Sequence, residues 1–141
     1  MGFSRERLLL VLERFPKPLR FWVAFSGGLD SSVLLHALAV QRSKLPAPIG
    51  ALHLDHGLQA ESENWARHCR RVCAALRVPL LVRTLRLRMP NGVSVEAEAR
   101  NARLAAYRDI MQPGDLLLTA QHRDDQAETL LLQLLRGSGL R

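Results

Sequence analysis

Residues 21–32 read FWVAFSGGLDSS. The first five are apolar and do not alternate with polar residues, which is typical of a strand buried on both faces of a parallel sheet. Gly27 and Gly28 then allow a tight turn and a close approach of the backbone to a ligand. A helix predicted from Leu29 directs its first amide groups and the positive end of its dipole toward this turn. The stretch therefore predicts an anion-binding loop between a strand and a helix.

Apolar runs alternate with amphipathic stretches along the rest of the chain. The pattern predicts strands over residues 20–26, 49–55, 80–87 and 115–121, and helices over residues 4–14, 29–42, 61–77, 95–111 and 126–136. Strict alternation indicates an α/β fold, a doubly wound parallel sheet with helices on both faces. Because such sheets bind ligands beyond the carboxyl ends of their strands, we expect the functional residues in the loops that follow strands.

The length and composition indicate one globular domain, residues 1–141. Hydrophobic residues make up 48% of the chain and charged residues 23%. No apolar run reaches the roughly 20 residues that cross a bilayer, and the amino terminus lacks the pattern of a signal peptide. We therefore expect a cytoplasmic protein without a membrane-spanning segment.

Positive charge exceeds negative charge, with 20 Lys and Arg residues against 13 Asp and Glu residues. Arginines are concentrated in the middle of the chain: Arg67, Arg70, Arg71, Arg77, Arg83, Arg86, Arg88, Arg100, Arg103 and Arg108. Such a cluster suits the phosphate backbone of a nucleic acid, although a solvated surface explains surface arginines equally well. Aromatic residues are only 5% of the chain, so a platform of stacked bases is not expected.

Two cysteines, Cys69 and Cys73, lie four residues apart in a predicted helix and share one of its faces. A structural metal site needs four ligands, and no second pair of Cys or His lies at a suitable spacing. Packing in the core is therefore the preferred interpretation of both thiols.

Acidic residues follow two of the predicted strands. Asp30 in the glycine loop would repel a phosphate unless a cation such as Mg²⁺ lies between them. The second strand runs into HLDHGL at 53–58, and the fourth into QHRDDQAET at 121–129. Asp124 or Asp125 could give the cation a second carboxylate, or could cap the helix predicted after them. Since these loops meet at one edge of the sheet, metal binding is favoured.

The fourth predicted helix begins with EAEARNAR at 96–103. Its acids suit a helix amino terminus, and Arg100 and Arg103 lie three residues apart on one face. A solvated face is the default interpretation. If that face reaches the crevice, either arginine could neutralise a phosphate or hold RNA, and His122 could contact phosphate or accept a proton.

The glycine loop lacks the lysine of a Walker loop and the spaced glycines of dinucleotide-binding folds. The string SGGLDSS at 26–32 resembles instead the loop of the ATP-pyrophosphatase superfamily, whose members cleave ATP between its α and β phosphates. Together with the three strings quoted above and LLRGSGLR at 134–141, it is similar in order and spacing to the bacterial tRNA(Ile)-lysidine synthetase family. The resemblance spans residues 21–141.

That family attaches lysine to the wobble cytidine of a minor isoleucine tRNA. ATP first adenylylates the base at its C2 oxygen and releases pyrophosphate, and the lysine amine then displaces AMP. The resemblance implies a Rossmann-like fold of the adenine nucleotide alpha hydrolase type. It also implies ATP and Mg²⁺ as cofactors, with L-lysine and the tRNA(Ile) that has a CAU anticodon as partners.

The resemblance also implies roles for individual residues. The ATP-binding residues would be Ser26, Gly27, Gly28, Leu29, Asp30, Ser31, Ser32, His53, Asp55 and His56. The catalytic residues would be Asp30, Arg103, His122 and Asp125, with Mg²⁺ on Asp30 and Asp125 and the reacting phosphate beside Arg103 and His122. A substrate or phosphate contact would lie at Arg100 and Arg136.

The sequence departs from the family pattern in two ways. Gln121 stands where many members have another histidine, which leaves a role for that side chain open. Members also continue past Arg141 into domains that contact tRNA. We therefore expect a truncated chain without a strand at one sheet edge, which could form a homodimer through that edge.

Two alternatives remain open. One is another ligase of the superfamily, such as a tRNA thiolation enzyme or a glutamine-dependent synthetase. Thiolation enzymes usually contain paired Cys-x-x-Cys motifs or a catalytic cysteine, which Cys69 and Cys73 do not match. The other is a nucleotide-binding module without catalysis, which would have little need for both Asp30 and Asp125.

Overall fold

The computed structural model describes residues 5–55, 62–85, 94–122 and 130–136, with the backbone alone at 121–122 and 130–136. The helices are α1 (Arg5–Glu13), α2 (Leu29–Val40), α3 (Ser62–Leu76) and α4 (Val95–Ile110), and a 3-10 turn, Arg42–Lys44, follows α2. The strands are β1 (Phe21–Ala24), β2 (Ile49–Asp55), β3 (Leu80–Thr84), β4 (Leu116–His122) and β5 (Leu130–Arg136). No helix among these ranges is long and apolar enough to cross a membrane. Up to residue 122 the predicted helices and strands are confirmed.

The strands form one sheet in the order β3-β2-β1-β4-β5. The first four are parallel: β1 pairs with β2 on one side and with β4 on the other, and β2 pairs with β3. The order of the strands therefore reverses at β1. The carboxyl ends of β1 and β4 form the switch point at which doubly wound sheets bind their ligands. The predicted doubly wound parallel α/β fold is confirmed.

Helices cover both faces of the sheet. Alternate residues of β1 point to opposite sides, with Phe21 and Val23 in a large core and Trp22 and Ala24 against a smaller cluster. The large core lies under α1, α2 and α3. The smaller cluster lies under α4, and its buried members are Leu52, Tyr107, Met111 and Leu117. As a result, α3 lies on one face of the sheet and α4 on the other.

The helix predicted over residues 126–136 is wrong in its described part, because Leu130–Arg136 forms β5. This strand is antiparallel to β4 and pairs with all of it. A short apolar run such as LLLQLLR has no periodicity that separates a buried strand from a helix. The expectation of an unpaired edge at β4 is also wrong, since an antiparallel strand covers it, as is common in parallel sheets. A homodimer through that edge therefore loses its structural basis.

The carboxyl end of α3 is held by a left-handed residue and by an arginine from the preceding turn. Arg77 has a φ of +56°, and the N–H of Val78 donates to the carbonyl of Cys73 at 2.9 Å, as in a Schellman motif. Arg42 donates to the carbonyls of Leu76 and Arg77 at 2.5 and 2.9 Å. These bonds satisfy the last carbonyls of α3, which have no partner within the helix.

A buried carboxylate joins β1 to the turn before β4. Trp22 Nε1 donates to Asp115 Oδ2 at 3.0 Å, and the N–H of Gln112 donates to the same oxygen at 2.9 Å. Asp115 is 6% exposed, so both bonds are partly shielded from water and are strengthened by the charge of the acceptor. The contact fixes β4 against β1, the two strands that flank the switch point.

We expect Asp115→Ala to lower the free energy of unfolding by about 1–3 kcal/mol, because Trp22 Nε1 and the Gln112 N–H lose their acceptor. Urea unfolding measures the loss. Asp109→Ala is a matched control, since Asp109 pairs with Arg83 at 2.6 Å on the surface, where ion pairs contribute about 0–1 kcal/mol. Equal losses in the two variants would contradict the role given to Asp115.

Candidate active site

The loop between β1 and α2 turns on one left-handed residue. Gly27 is buried and has a φ of +87°. A Cβ on Gly27 would lie 2.9 Å from Cys69 Sγ and 3.2 Å from the ring of Trp65. Gly28, at a φ of −75°, is the N-cap of α2, and a Cβ there would lie at an ordinary 3.4 Å from Ser26 Oγ. Backbone conformation and packing therefore both require glycine at position 27, and neither requires it at position 28.

Hydroxyl groups hold the inside of this loop. The N–H of Gly28 donates to Ser26 Oγ at 3.2 Å, and Ser31 Oγ donates to the carbonyl of Gly28 at 3.3 Å. Since Ser31 gives its proton to that carbonyl, the 3.0 Å contact between the two hydroxyls is a bond from Ser26 to Ser31. Ser31 is 3% exposed, whereas Ser26 is exposed. Ser31 thus shapes the loop from inside, and Ser26 faces solvent.

The amino terminus of α2 points into the space beyond the loop. Its N-cap is Gly28, which has no side chain to cap the amides of the first turn. Asp30 lies in this first turn, and Leu29 is 76% exposed. An anion placed here would gain from the amides and from the helix dipole. The loop and helix can therefore bind a phosphate group.

Two rings from neighbouring elements hold carbonyls of the loop. Trp65, near the start of α3, donates its Nε1 proton to the carbonyl of Ser26. His53 of β2 is 4% exposed, and its Nδ1 lies 2.9 Å from the carbonyl of Phe25. Because a carbonyl can only accept, His53 Nδ1 is the donor of this bond. No sequence motif contains Trp65, although its position four residues before Cys69 places it on the same helix face.

The cysteines lie in the core behind this loop. Cys69 Sγ is 3.6 Å from His53 Nδ1. Burial raises the pKa of Cys69 to about 11, although the charge of Arg70 lowers it by a smaller amount. Burial also raises the pKa of Cys73 to about 11, and the neighbouring Cys69 adds to the shift. Both thiols are protonated at neutral pH and are poor nucleophiles, so their interpretation as core residues is confirmed.

Two arginines lie in α4, a helix that starts at the same edge of the sheet. The helix begins after β3 and returns to β4, so its amino terminus lies at the carboxyl edge. Ser94 caps it by accepting the N–H of Ala97 at 3.1 Å. Arg100 is exposed, and Arg103 is half-buried beside Tyr107. Burial raises the pKa of Tyr107, and the charge of Arg103 lowers it by a smaller amount.

The remaining predicted site residues fall at different places. Asp55 ends β2 and His122 ends β4, both at the carboxyl edge. Arg136 instead pairs with Leu116 at the amino end of β4, roughly 20 Å away along the strand. His56 lies outside the described residues. The backbone thus brings Asp55 and His122 to the edge where the loop lies, and it does not bring Arg136 there.

The predicted metal ligands are Asp30 and Asp125. Asp30 lies in the first turn of α2, and Asp125 lies outside the described residues. Within the part of the chain that the structure describes, no three or more His, Cys, Asp or Glu residues are grouped as metal ligands. A Mg²⁺ ion between the two carboxylates therefore stays a prediction.

A doubly wound sheet with a glycine turn and a helix amino terminus at its switch point defines a nucleotide-binding domain. The family model described as a PP-loop domain matches residues 4–141. The chain belongs to the PP-loop domain family.

Curated relatives are similar to this chain over most of its length. The chain is 52% identical over 137 residues to a tRNA(Ile)-lysidine synthase of Pseudomonas syringae pv. tomato, which covers 96% of the chain and 30% of the relative. It is 51% identical over 137 residues to that of Pseudomonas aeruginosa, with 96% and 30% covered. For Alkalilimnicola ehrlichii the identity is 52% over 121 residues, with 86% and 27% covered. The chain thus spans less than a third of the length of these relatives, and the resemblance drawn from its motifs is confirmed.

A solved structure shares the fold. The U34-tRNA thiolase NcsA from Methanococcus maripaludis superposes with a TM-score of 0.61 over 75% of this chain and 39% of the thiolase. The two sequences are 12% identical. The likeness supports the fold and says nothing about the reaction.

We expect Gly27→Ala to raise the Kd for Mg·ATP at least tenfold and to lower the free energy of unfolding by about 1–2 kcal/mol, because the new methyl group meets Cys69 and Trp65 at a left-handed φ. Calorimetric titration and urea unfolding measure the two effects. Gly28→Ala is the matched control for stability, since its φ suits any residue. If both substitutions destabilise the protein equally, the importance given to Gly27 is wrong.

The buried thiols predict a loss of stability at high pH. In the unfolded chain a thiol ionises near 9.0, whereas Cys69 and Cys73 in the folded protein ionise at about 11. Between these values the folded state binds more protons than the unfolded state, so the free energy of unfolding falls as the pH rises. Each thiol should contribute about 1–2 kcal/mol to the fall between about pH 8 and about pH 10.5.

Urea unfolding at these two pH values tests the effect. Cys73→Ala removes one of the two thiols, so its free energy of unfolding should fall less steeply with pH than that of the wild type. An identical fall in both proteins would show that other groups cause it.

Proposed function

We propose that residues 1–141 form the ATP-binding domain of an enzyme that ligates L-lysine to the wobble cytidine of tRNA(Ile) with a CAU anticodon. The observation that carries this proposal is the glycine turn at the switch point, which opens onto the amino terminus of α2. The curated relatives, named tRNA(Ile)-lysidine synthase, support the particular reaction. Such an enzyme acts on tRNA in the cytoplasm.

The reaction has two steps on the proposed site. The C2 oxygen of the cytidine attacks the α phosphorus of ATP, and pyrophosphate leaves. The lysine amine then attacks C2 of the base, and AMP leaves. A neutral oxygen that attacks an anionic phosphorus needs charge neutralisation and in-line positioning more than it needs a strong base. A site made of amides, arginines and one or two carboxylates fits that need.

The phosphates of ATP would bind along residues Ser26 to Ser32. The amides of the first turn of α2 are the donors with the best placement, because the helix dipole adds to their attraction for an anion. The Ser32 side chain is a further candidate, whereas the Ser26 hydroxyl donates to Ser31 and the buried Ser31 hydroxyl holds the loop. Asp55 and His56 would lie against the nucleoside, at the end of β2.

Asp30 and Asp125 would hold Mg²⁺. Asp30 suits this role because its carboxylate lies in the first turn of α2, where it would repel a bound phosphate unless a cation lay between them. A bound Mg²⁺ would neutralise charge on the phosphates. As the protein's own contribution, the Asp30 carboxylate sets where a cation can lie relative to the glycine loop.

Side chains from the other face would complete the charge balance. Arg103 is half-buried on α4, so part of its hydration is already lost and its charge acts over a lower dielectric. We assign Arg103 and His122 to the reacting phosphate and the exposed Arg100 to substrate RNA. This division follows from the exposures of the two arginines.

The outer face of α3 would contact the RNA backbone. Arg67, Arg70 and Arg71 are exposed there, and Arg67 lies 3.9 Å from Glu63, a long distance for an ion pair. Exposed arginines at this spacing suit neighbouring phosphates, and contacts of this kind weaken with salt. The positive charge of the chain has a use in this function.

A thiolation enzyme of the same superfamily is disfavoured by the cysteines. A catalytic thiol has to be accessible and have a low pKa, whereas burial raises the pKa of Cys69 and Cys73 to about 11. A nucleotide-binding module without catalysis would bind Mg·ATP and modify no tRNA. The following test separates it from the ligase.

We expect the full-length protein to form lysidine from ATP, lysine and unmodified minor isoleucine tRNA, and we expect Asp30→Asn to lower the rate at least tenfold, because the metal loses a charged ligand. Mass spectrometry of the tRNA nucleosides measures the product. Asp109→Asn removes the same charge at an exposed ion pair on α4 and should leave the rate unchanged. If the wild type binds Mg·ATP but forms no lysidine, the ligase assignment is wrong; equal rates in Asp30→Asn and wild type would contradict the role of Asp30.

A further inference from the structure

We propose that Trp65 and His53 are positioning residues whose ring N–H groups direct the phosphate-binding amides of the glycine loop. This inference rests on the proposed binding of ATP by the loop. It gives a role to Trp65, which no motif identified, and it gives His53 a role behind the loop.

The two rings hold consecutive carbonyls. His53 Nδ1 lies 2.9 Å from the carbonyl of Phe25, and Trp65 Nε1 donates to the carbonyl of Ser26. His53 Nδ1 lies 3.6 Å from Cys69 Sγ, and Trp65 and Cys69 lie together where a Cβ of Gly27 would fall. Both rings therefore act from the face of the sheet that α3 covers. The next residue, Gly27, is the one with positive φ. The restraint is therefore applied directly before the turn.

A trans peptide links the direction of each carbonyl to that of the next amide, because its C=O and N–H point in opposite directions. Fixing the carbonyl of Phe25 fixes the N–H of Ser26. Fixing the carbonyl of Ser26 fixes the N–H of Gly27. Both N–H groups are then directed away from the two rings. Donors held in this way do not have to reorient when an anion binds.

The contribution of Trp65 is directional because this residue is not part of the core. Trp65 is 47% exposed, and its ring stacks on His68 with 5.1 Å between centroids. Burial of the apolar surface of Trp65 therefore contributes less to stability than it would at a core position. The ring supplies one N–H donor at a fixed place. It also limits the space at residue 27, where a Cβ would lie 3.2 Å from the ring.

The chain offers a matched control in its second tryptophan. Trp22 also donates its indole N–H, but to Asp115 on the opposite side of β1. Trp22→Phe and Trp65→Phe thus remove the same chemical group at two places. If Trp65 only contributes stability, both variants should lose stability and neither should lose affinity for phosphate.

The experiment measures the Kd of the purified protein for Mg·ATP and for inorganic pyrophosphate by calorimetry, with urea unfolding alongside. Trp65→Phe should raise both Kd values about three- to tenfold, and Trp22→Phe should leave them unchanged. For His53, Leu removes the donor, whereas Asn can place its amide nitrogen where Nδ1 lies. His53→Asn should therefore bind more tightly than His53→Leu. In the full-length enzyme, Trp65→Phe should raise the KM for ATP more than it lowers kcat.

A spectroscopic readout is available because the sequence has two tryptophans. In the Trp22→Phe variant Trp65 is the one tryptophan left, and saturating Mg·ATP should change its emission if its partner Ser26 lies in the binding loop. Unchanged Kd values in Trp65→Phe, or equal binding by His53→Asn and His53→Leu, would overturn the inference and leave the ligase function standing. Normal Mg·ATP binding without lysidine formation would overturn the ligase function and leave the inference standing. No binding of Mg·ATP by the wild type would overturn both.

Discussion

At Gly27 the backbone has to take a left-handed conformation in a space that cannot hold a methyl group. Cys69 and Trp65 close that space from α3, and the next residue already caps α2. The strand, the turn and two helices therefore meet at one residue, and a side chain there would push α3 away from β1. Because the turn is short, the amides of α2 come to the end of β1, where a doubly wound sheet is open to ligands. The rest of the site is arranged around this constraint.

Backbone groups and side chains have separate tasks in this arrangement. The amides of the loop and of α2 can recognise a phosphate in any state of the reaction, since their positions are set by the fold. Under the proposed function, the charges that stabilise a reacting phosphate would come from side chains on other elements, such as Arg103 of α4. A fixed anion cradle combined with charges from separate elements is what electrostatic preorganisation requires. It also explains why the polar residues of the motifs are spread over three loops.

Much of this organisation could be predicted from the sequence, for reasons that differ by element. The unbroken apolar run of β1 and the glycines after it have few other physical explanations, and the Arg103 position follows from helix periodicity. The partners of the loop could not be predicted. His53 lies in a motif and was assigned to the ligand, but the distance from Nδ1 to Phe25 depends on how β1 and β2 pair. The run of leucines at Leu130–Arg136 fits either a strand or a helix, so the sequence alone predicts a helix there, and only the pairing with β4 shows that it is a strand.

The two faces of the sheet differ in how firmly they are closed. On the α3 side the helix is fixed at its start through Trp65 and at its end by the fork of Arg42, over the larger core. On the α4 side the buried cluster is small, and an ion pair that holds the helix, Arg83 with Asp109, is largely in water. Local opening costs least where few apolar groups separate from one another. Amide hydrogens of α4 should therefore exchange with solvent at a lower opening free energy than those of α3. The arginine side of the crevice can then open locally while the glycine turn keeps its conformation.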